Sequence, residues 1–227
     1  MNNTYIISLG GSLIVPGCGI DYTFLKKFKN LINAEIKKGK KFYLIAGGGH
    51  TARQYIESAN KITKISDEDK DWLGIHSTRL NAHLIRTVFW DTAHPEIIKN
   101  PTIHLHSTKN IIVGGGWKPG WSTDYVATMI AQEYEVGTII NLSNIEYAYD
   151  KDPKKFKDAV KIETSNWPDF RKIVGDKWIP GLNMPFDPIA SKKAQQLNLK
   201  VIIADGKNLN NLKSILNNKK YKGTTIA

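Results

Sequence analysis

Cysteine is almost missing. Cys18 is the only one in 227 residues, so no disulfide can close within one chain and no cysteine cluster can hold zinc. No apolar run approaches the roughly 20 residues that a membrane helix needs. Met1-Asn2-Asn3-Thr4 leads straight into a strand-like segment, with neither a basic stretch nor a cleavage site, so no secretory signal is expected. A cytoplasmic location without a membrane partner follows as the expectation. Familiar nucleotide and hydrolase motifs are absent too: no G-x-x-x-x-G-K-[ST], no G-x-G-x-x-G after a strand, no H-E-x-x-H and no G-x-S-x-G. A phosphate-handling role would therefore need a scaffold other than the P-loop.

Acidic residues are in deficit, 21 against 32 lysines and arginines, for a net charge of +11. The excess lies in short groups, Lys37–Lys41, Lys154–Lys157 and Lys219–Lys222, rather than in one basic stripe. With no nucleic-acid motif beside them, they read as solvated surface, and no nucleic-acid partner is expected. A hydrophobic content of 41% with 23% charged residues is that of a soluble globular chain with a sizeable core.

What is present is glycine in three telling places. Gly10-Gly11-Ser12, Gly47-Gly48-Gly49 and Gly114-Gly115-Gly116 each follow an apolar run: Tyr5–Leu9, Phe42–Ala46 and Ile111–Val113. Glycine lets main chain approach a ligand closely, and amides at such turns suit phosphate. Three of them suggest one crevice built around several phosphoryl groups.

Hydrophobic spacing predicts strands at Tyr5–Leu9, Lys41–Ala46, Ile103–His106, Ile111–Val113, Thr138–Leu142, Val201–Ala204 and Thr224–Ile226. It predicts helices over Asp21–Lys38, His50–Ala59, Ile75–Thr92 (ended near His94-Pro95), Thr123–Glu133, Ile189–Leu197 and Leu209–Leu216. Ser66-Asp67-Glu68-Asp69 resembles a helix start, and Ser165-Asn166-Trp167 opens a short helix towards Val174. Asn144–Lys157 and Pro180–Pro188 read as loops. The alternation predicts an α/β chain, a mostly parallel sheet covered on both faces, with its crevice at the strand carboxyl ends. No internal repeat is visible, and one domain over 1–227 is expected.

In unbroken order the segments resemble the amino acid kinase superfamily, and within it the UMP kinases of archaeal type. The likeness rests on Ser8-Leu9-Gly10-Gly11-Ser12, on Gly47-Gly48-Gly49-x-x-Ala52-Arg53, and on Asp71-x-x-Gly74-Ile75-x-x-Thr78-Arg79-x-Asn81-Ala82. It continues through Gly114–Gly120 with Ser122-Thr123-Asp124, Asn141-Leu142-Ser143-Asn144, Tyr149-x-x-Asp152-Pro153, Phe186-Asp187-Pro188 and Gly223-Thr224-Thr225-Ile226. The resemblance implies a three-layer α/β/α fold and transfer of the ATP γ-phosphoryl group to UMP, with Mg2+ accompanying ATP. It further implies an acceptor half near 1–140, an ATP half near 141–227, and homohexamers.

Residue roles follow from the same likeness. Ser8, Gly10, Gly11, Ser12 and Gly49 would face ATP and the transferring phosphates, with Arg53 offering a bidentate fork. Asn144, Tyr149, Asp152 and Asp187 would complete the ATP side. Gly48, Asp71, Gly114, Gly115, Gly116, Gly120, Ser122 and Thr123 would bind UMP, Asp71 through the ribose hydroxyls. Asp124 would organise charge around the transferred group, together with Arg53, Gly10 and Gly11 as the catalytic set. No protein metal site and no general base of unusual pKa is implied, because phosphoryl transfer asks chiefly for alignment and charge neutralisation. Plainer roles compete: Arg53 could pair with Glu57 four residues on, Asp124 could be an early-helix acid favoured by the dipole, and Asp71 a solvated acid. Arg79 could serve substrate, subunit or surface. Trp117 and Trp121 could stack on uracil or pack on a neighbouring subunit. Two departures from the family pattern stand out. Ser8 occupies a position where many relatives carry lysine, and Tyr147 replaces a glycine after Glu146. Lys192 or Lys193 would be a candidate for the absent cation.

Overall fold

A computed structural model describes residues 3–153, 155–177 and 184–227. The first strand, β1 (Thr4–Leu9), runs into a single helical turn, α1 (Gly11–Ile14), and then α2 (Tyr22–Ile36). Asp21 caps α2, accepting from the Phe24 amide at 2.8 Å. Next come β2 (Lys41–Ala46), α3 (Gly49–Ile62), α4 (Asp67–Val88), β3 (Ala93–Ile98) and β4 (Ile111–Gly114). The second half holds α5 (Thr123–Glu133), β5 (Thr138–Ser143), β6 (Ala148–Tyr149), β7 (Lys161–Ile162) and β8 (Thr164–Ser165). It ends with α6 (Trp167–Val174), α7 (Pro188–Gln196), β9 (Lys200–Asp205), α8 (Leu209–Leu216) and β10 (Thr224–Ile226).

Eight strands form one sheet in the order β3-β4-β2-β1-β5-β9-β10-β8, while β6 and β7 make a separate hairpin. Pairing is parallel throughout the large sheet except for β9 with β10. Strands before residue 115 extend the sheet to one side of β1, and strands after residue 137 extend it to the other. The order thus reverses between β1 and β5, the place where open α/β sheets leave a crevice beyond their carboxyl ends. Apolar side chains cover both faces. Ile7, Leu9, Phe28 and Phe89 belong to one core, and Ile6, Val126, Trp167 and Phe170 to the other, giving three layers. The period-2 alternation of β1 sets Ser8 on the Ile6 side, facing α5.

Three expectations are corrected. The helix predicted over Ile75–Thr92 begins at Asp67, where Ser66 and Asp69 form a reciprocal capping box, and runs through Gly74 to Val88. Pro95 does not end it. His94 and Pro95 lie instead in β3, an edge strand whose register shifts between Ala93 and Ile97 and so tolerates the missing amide. Ile103–His106 is not a strand: the Tyr134 hydroxyl takes the place of a ladder, accepting from the Leu105 amide at 2.8 Å and donating to its carbonyl at 3.3 Å. The segment read as a loop over Asn144–Lys157 also contains β6. Part of the loop predicted over Pro180–Pro188 lies outside the described residues.

Candidate functional site

The glycine turns meet because only main chain lies between them. A Cβ on Gly11 would stand 2.0 Å from the Gly49 amide nitrogen, and one on Gly47 would stand 2.4 Å from the Gly11 nitrogen. Gly49 has φ +65 and faces the Gly11 carbonyl, a left-handed conformation that other residues resist. Main-chain bonds hold the contact: Gly10 N–H donates to the Leu142 carbonyl at 2.8 Å, Gly47 N–H to Leu9 at 2.9 Å, and His50 N–H to Val15 at 2.9 Å. The amides of Gly11, Ser12, Gly48 and Gly49 have no acceptor among the described residues.

From the other side α4 fastens the loops. The Asn81 side-chain amide donates to the carbonyls of Gly47 and Gly48 at 2.8 and 3.0 Å. Thr78 Oγ1 accepts from the Gly116 amide at 2.7 Å. Arg79 donates to the carbonyls of Gly116 and Trp117 at 3.0 and 2.8 Å. Its guanidinium is thereby committed to holding a loop, and desolvation lowers its pKa from the ordinary value. Asp71 takes the Gly120 amide at 2.7 Å, tying α4 to the far end of the same loop.

These elements enclose a cavity of about 440 Å³. Ser8, Gly10, Gly11, Gly48, Gly49, Arg53, Asp71, Gly116, Ser122, Thr123 and Asp124 all line it. Arg53 is exposed at its rim and forms no ion pair with Glu57 or any other described residue. Trp121 lines the wall and stacks on Tyr125 at 4.0 Å, while Lys118 lies over Trp117. Several expected residues lie elsewhere. Gly114 and Gly115 serve close packing, since a Cβ would meet Ile45 at 3.0 Å and the Arg79 backbone at 3.2 Å respectively. Ser12 lies within α1, Gly120 is spent on Asp71, and Asn144, Tyr149 and Asp152 lie beyond the rim. Lys192 and Lys193 on α7 do not reach the cavity. Tyr147 is covered by Lys161, 4.8 Å from the ring centre, and Glu146 pairs with Lys222 at 3.3 Å.

The floor holds the main surprise. Asp124, second residue of α5, receives the Ser8 hydroxyl at 3.1 Å and the Asp187 amide at 3.3 Å. Burial, followed by the nearby Asp187 charge, raises its carboxyl from 3.8 to about 7 despite those two donors. Asp187 caps α7, with Oδ1 accepting from the Ala190 amide at 2.6 Å, and burial raises it as well. The Ala190 and Ile189 amides and the Ser122 side chain work against that rise. Main chain and apolar side chains crowd two carboxyls together, beside a strand that offers Ser8 and no cation. Both carboxyls need a cation or protons to share the site. Among the described residues no cluster of three or more metal-ligating side chains exists. Sequence reasoning missed the anchoring roles of Asn81 and Thr78 and the wall residues Ile56, Lys70, Asn141 and Ser143. Asn141 carried a signal, since a polar residue inside an apolar strand run is costly to bury without purpose.

Comparison with known proteins agrees with this architecture. The model of the amino acid kinase family matches residues 3–205. A uridylate kinase from Thermoplasma volcanium is 34% identical over 229 residues, covering 100% of this chain and 98% of the relative. One from Methanospirillum hungatei JF-1 is 32% identical, covering 99% and 94%. The crystal structure of a uridylate kinase from Archaeoglobus fulgidus superposes with a TM-score of 0.81 at 27% identity, covering 98% of this chain and 99% of that one. No helix among the described residues is long and apolar enough to cross a membrane. With the sheet order, the interlocked glycine turns and a match spanning nearly its whole length, the chain belongs to the amino acid kinase family.

Proposed function

We propose that this protein transfers the γ-phosphoryl group of ATP to UMP, giving UDP. The observation that carries the reading is the convergence of the Gly10–Gly11 and Gly47–Gly49 turns, the Gly116–Ser122 loop and Asp124 on one cavity. Glycines whose amides have no acceptor among the described residues line that cavity, and the full-length likeness to uridylate kinases supports UMP as the acceptor. UMP would occupy the side bounded by Gly48, Asp71, Gly116, Ser122 and Thr123. ATP would enter past Ser8, Gly10, Gly11, Gly49 and Arg53, with its base towards Asn144, Tyr149 and Asp152. The acceptor half near 1–140 and the ATP half near 141–227 fit the reversal of strand order between β1 and β5.

Two adjacent acidic side chains offer hard oxygen donors that suit Mg2+, which takes one or two carboxylates and leaves its remaining positions to phosphates and water. Asp124 and Asp187 are the residues that would hold it, and its charge would offset that of the phosphoryl oxygens. The chain's own share is positional. The amides of Gly11, Gly48 and Gly49 fix acceptor and donor phosphates in line, and Arg53 adds an exposed cation at the rim. Ser8 holds the Asp124 carboxyl in register by its hydrogen bond. No step needs a deprotonated side chain of high basicity.

Assembly belongs to the same proposal: homo-oligomers, with hexamers by family likeness. The support is exposed apolar surface on α4 and just after its end, where Trp72, Leu80 and Trp90 are 38%, 63% and 69% exposed. A second copy of this surface would cover them. Light scattering giving a monomer mass at micromolar concentration would reject assembly. For the reaction, a coupled ADP-release assay with UMP, ATP and Mg2+ is decisive, repeated on Asp124→Asn. Turnover with UMP that falls at least about a hundredfold in the variant is expected; silence with UMP in the wild-type protein overturns the reading.

A further inference from the structure

A second cavity, of about 640 Å³, lies between α2 and α8 and shares no lining residue with the first. Its rim carries four lysines, Lys27, Lys38, Lys207 and Lys213. Lys27, Lys207 and Lys213 enter no ion pair among the described residues. Lys38 pairs with Glu35, the one carboxylate in the lining. That carboxylate is fully buried, and it also receives Lys40 and the Asn217 side-chain amide, so it cannot neutralise the rim. Unpaired lysines are common on this surface; what sets Lys27, Lys207 and Lys213 apart is that they surround one concave space.

The remaining walls give that space a character. Leu31, Ala34 and Leu209 supply apolar surface. The first turn of α8 opens into the cavity through Leu209 and Asn210, behind an Asn208 cap whose side chain is already used on the Asn211 amide. Positive dipole and unpaired ammonium groups add up at one end, over an apolar floor. A bulk monovalent anion would gain little from such a site, because exposed single pairs are weak. A ligand bearing several charges on one body engages the lysines together and pays the cost of immobilisation once.

We propose that the α2–α8 cavity is a binding site, separate from the phosphotransfer centre, for a small organic polyanion that carries phosphate groups on an apolar or planar body. Inorganic triphosphate and phenyl phosphate serve as probes in calorimetric titration at low salt. Triphosphate binds with an affinity that falls as salt rises, and phenyl phosphate binds detectably where inorganic phosphate does not. The charge-reversal variant Lys27→Glu/Lys207→Glu/Lys213→Glu loses about tenfold or more in triphosphate affinity. A control of the same net charge, Lys61→Glu/Lys64→Glu/Lys99→Glu, binds as the wild-type protein does. The three single Lys→Gln variants, each weakening binding by a fewfold, cover the case in which triple reversal disturbs folding. Equal loss in the control, no loss in any cavity variant, or no wild-type binding of triphosphate up to millimolar concentration overturns the proposal. So does loss of triphosphate binding on addition of saturating UMP and ADP, which would place the probe in the phosphotransfer cavity.

Discussion

Replacing Asp124 with asparagine should make the protein more stable while abolishing its reaction. Asp124 is held near pKa 7 against an ordinary 3.8, chiefly by burial and then by Asp187. A group raised in this way binds its proton more tightly in the folded chain than in the unfolded one. Its favourable contribution is complete below about pH 4 and is lost as pH rises through 7. A rise of some three units corresponds to about 4 kcal/mol at most. Since Asp124 keeps some surface in the cavity, about 2 kcal/mol is the working figure. Asparagine keeps the shape and an acceptor for Ser8 or the Asp187 amide, and it carries no charge. Urea unfolding of both proteins, nucleotide-free and with chelator, tests this. Asp124→Asn should exceed the wild-type protein by about 2 kcal/mol at pH 8, and the gap should shrink by more than half at pH 5. A variant less stable than wild type at pH 8, or a gap independent of pH, would refute the assigned crowding of charge.

Other substitutions probe the frame around that carboxyl. Gly11→Ala should destabilise by about 2 kcal/mol or more and remove turnover, because its methyl would collide with the Gly49 backbone; Gly17→Ala, with nothing within 4 Å, should be silent in both thermal melts and assays. Arg79→Ala frees the carbonyls of Gly116 and Trp117, so KM for UMP should rise about tenfold with kcat changed far less; an unchanged KM removes the loop from acceptor binding. Burial alone would raise the Glu35 carboxyl, but hydrogen bonds from Lys38, Lys40 and Asn217 outweigh it and set the group near 2. Stability from this site should be present above pH 4.5 and decline as pH falls towards 2. Glu35→Ala, which strands the buried Lys40, should cost about 3–5 kcal/mol in chemical denaturation at pH 7.

Much of the architecture could be read directly from residue order. Short apolar runs alternating with amphipathic stretches dictate a parallel sheet under helices, because only that arrangement buries both kinds of face. Local chemistry fixed element ends well where one residue decides them, as with Ser122 before Thr123–Glu133 and Asn208 before Leu209–Leu216. It failed where a distant group decided. Pro95 signals a helix stop, but the chain had already turned at Phe89, and an edge position removed the penalty for its missing amide. Leu105 lost its strand to a tyrosine hydroxyl 29 residues away.

The glycine triplets declared by themselves that main chain would come close to something, and their composition alone could not say that the first partner is another glycine turn. Packing decided that, at separations no Cβ would permit. Likewise the order of residues placed an acid second in α5 and another before α7. Only the folded chain brought Asp124 and Asp187 together where burial raises both carboxyls. Periodicity is a local property and is written along the chain; desolvation and the distance between charges belong to three dimensions and arise only when the chain closes on itself.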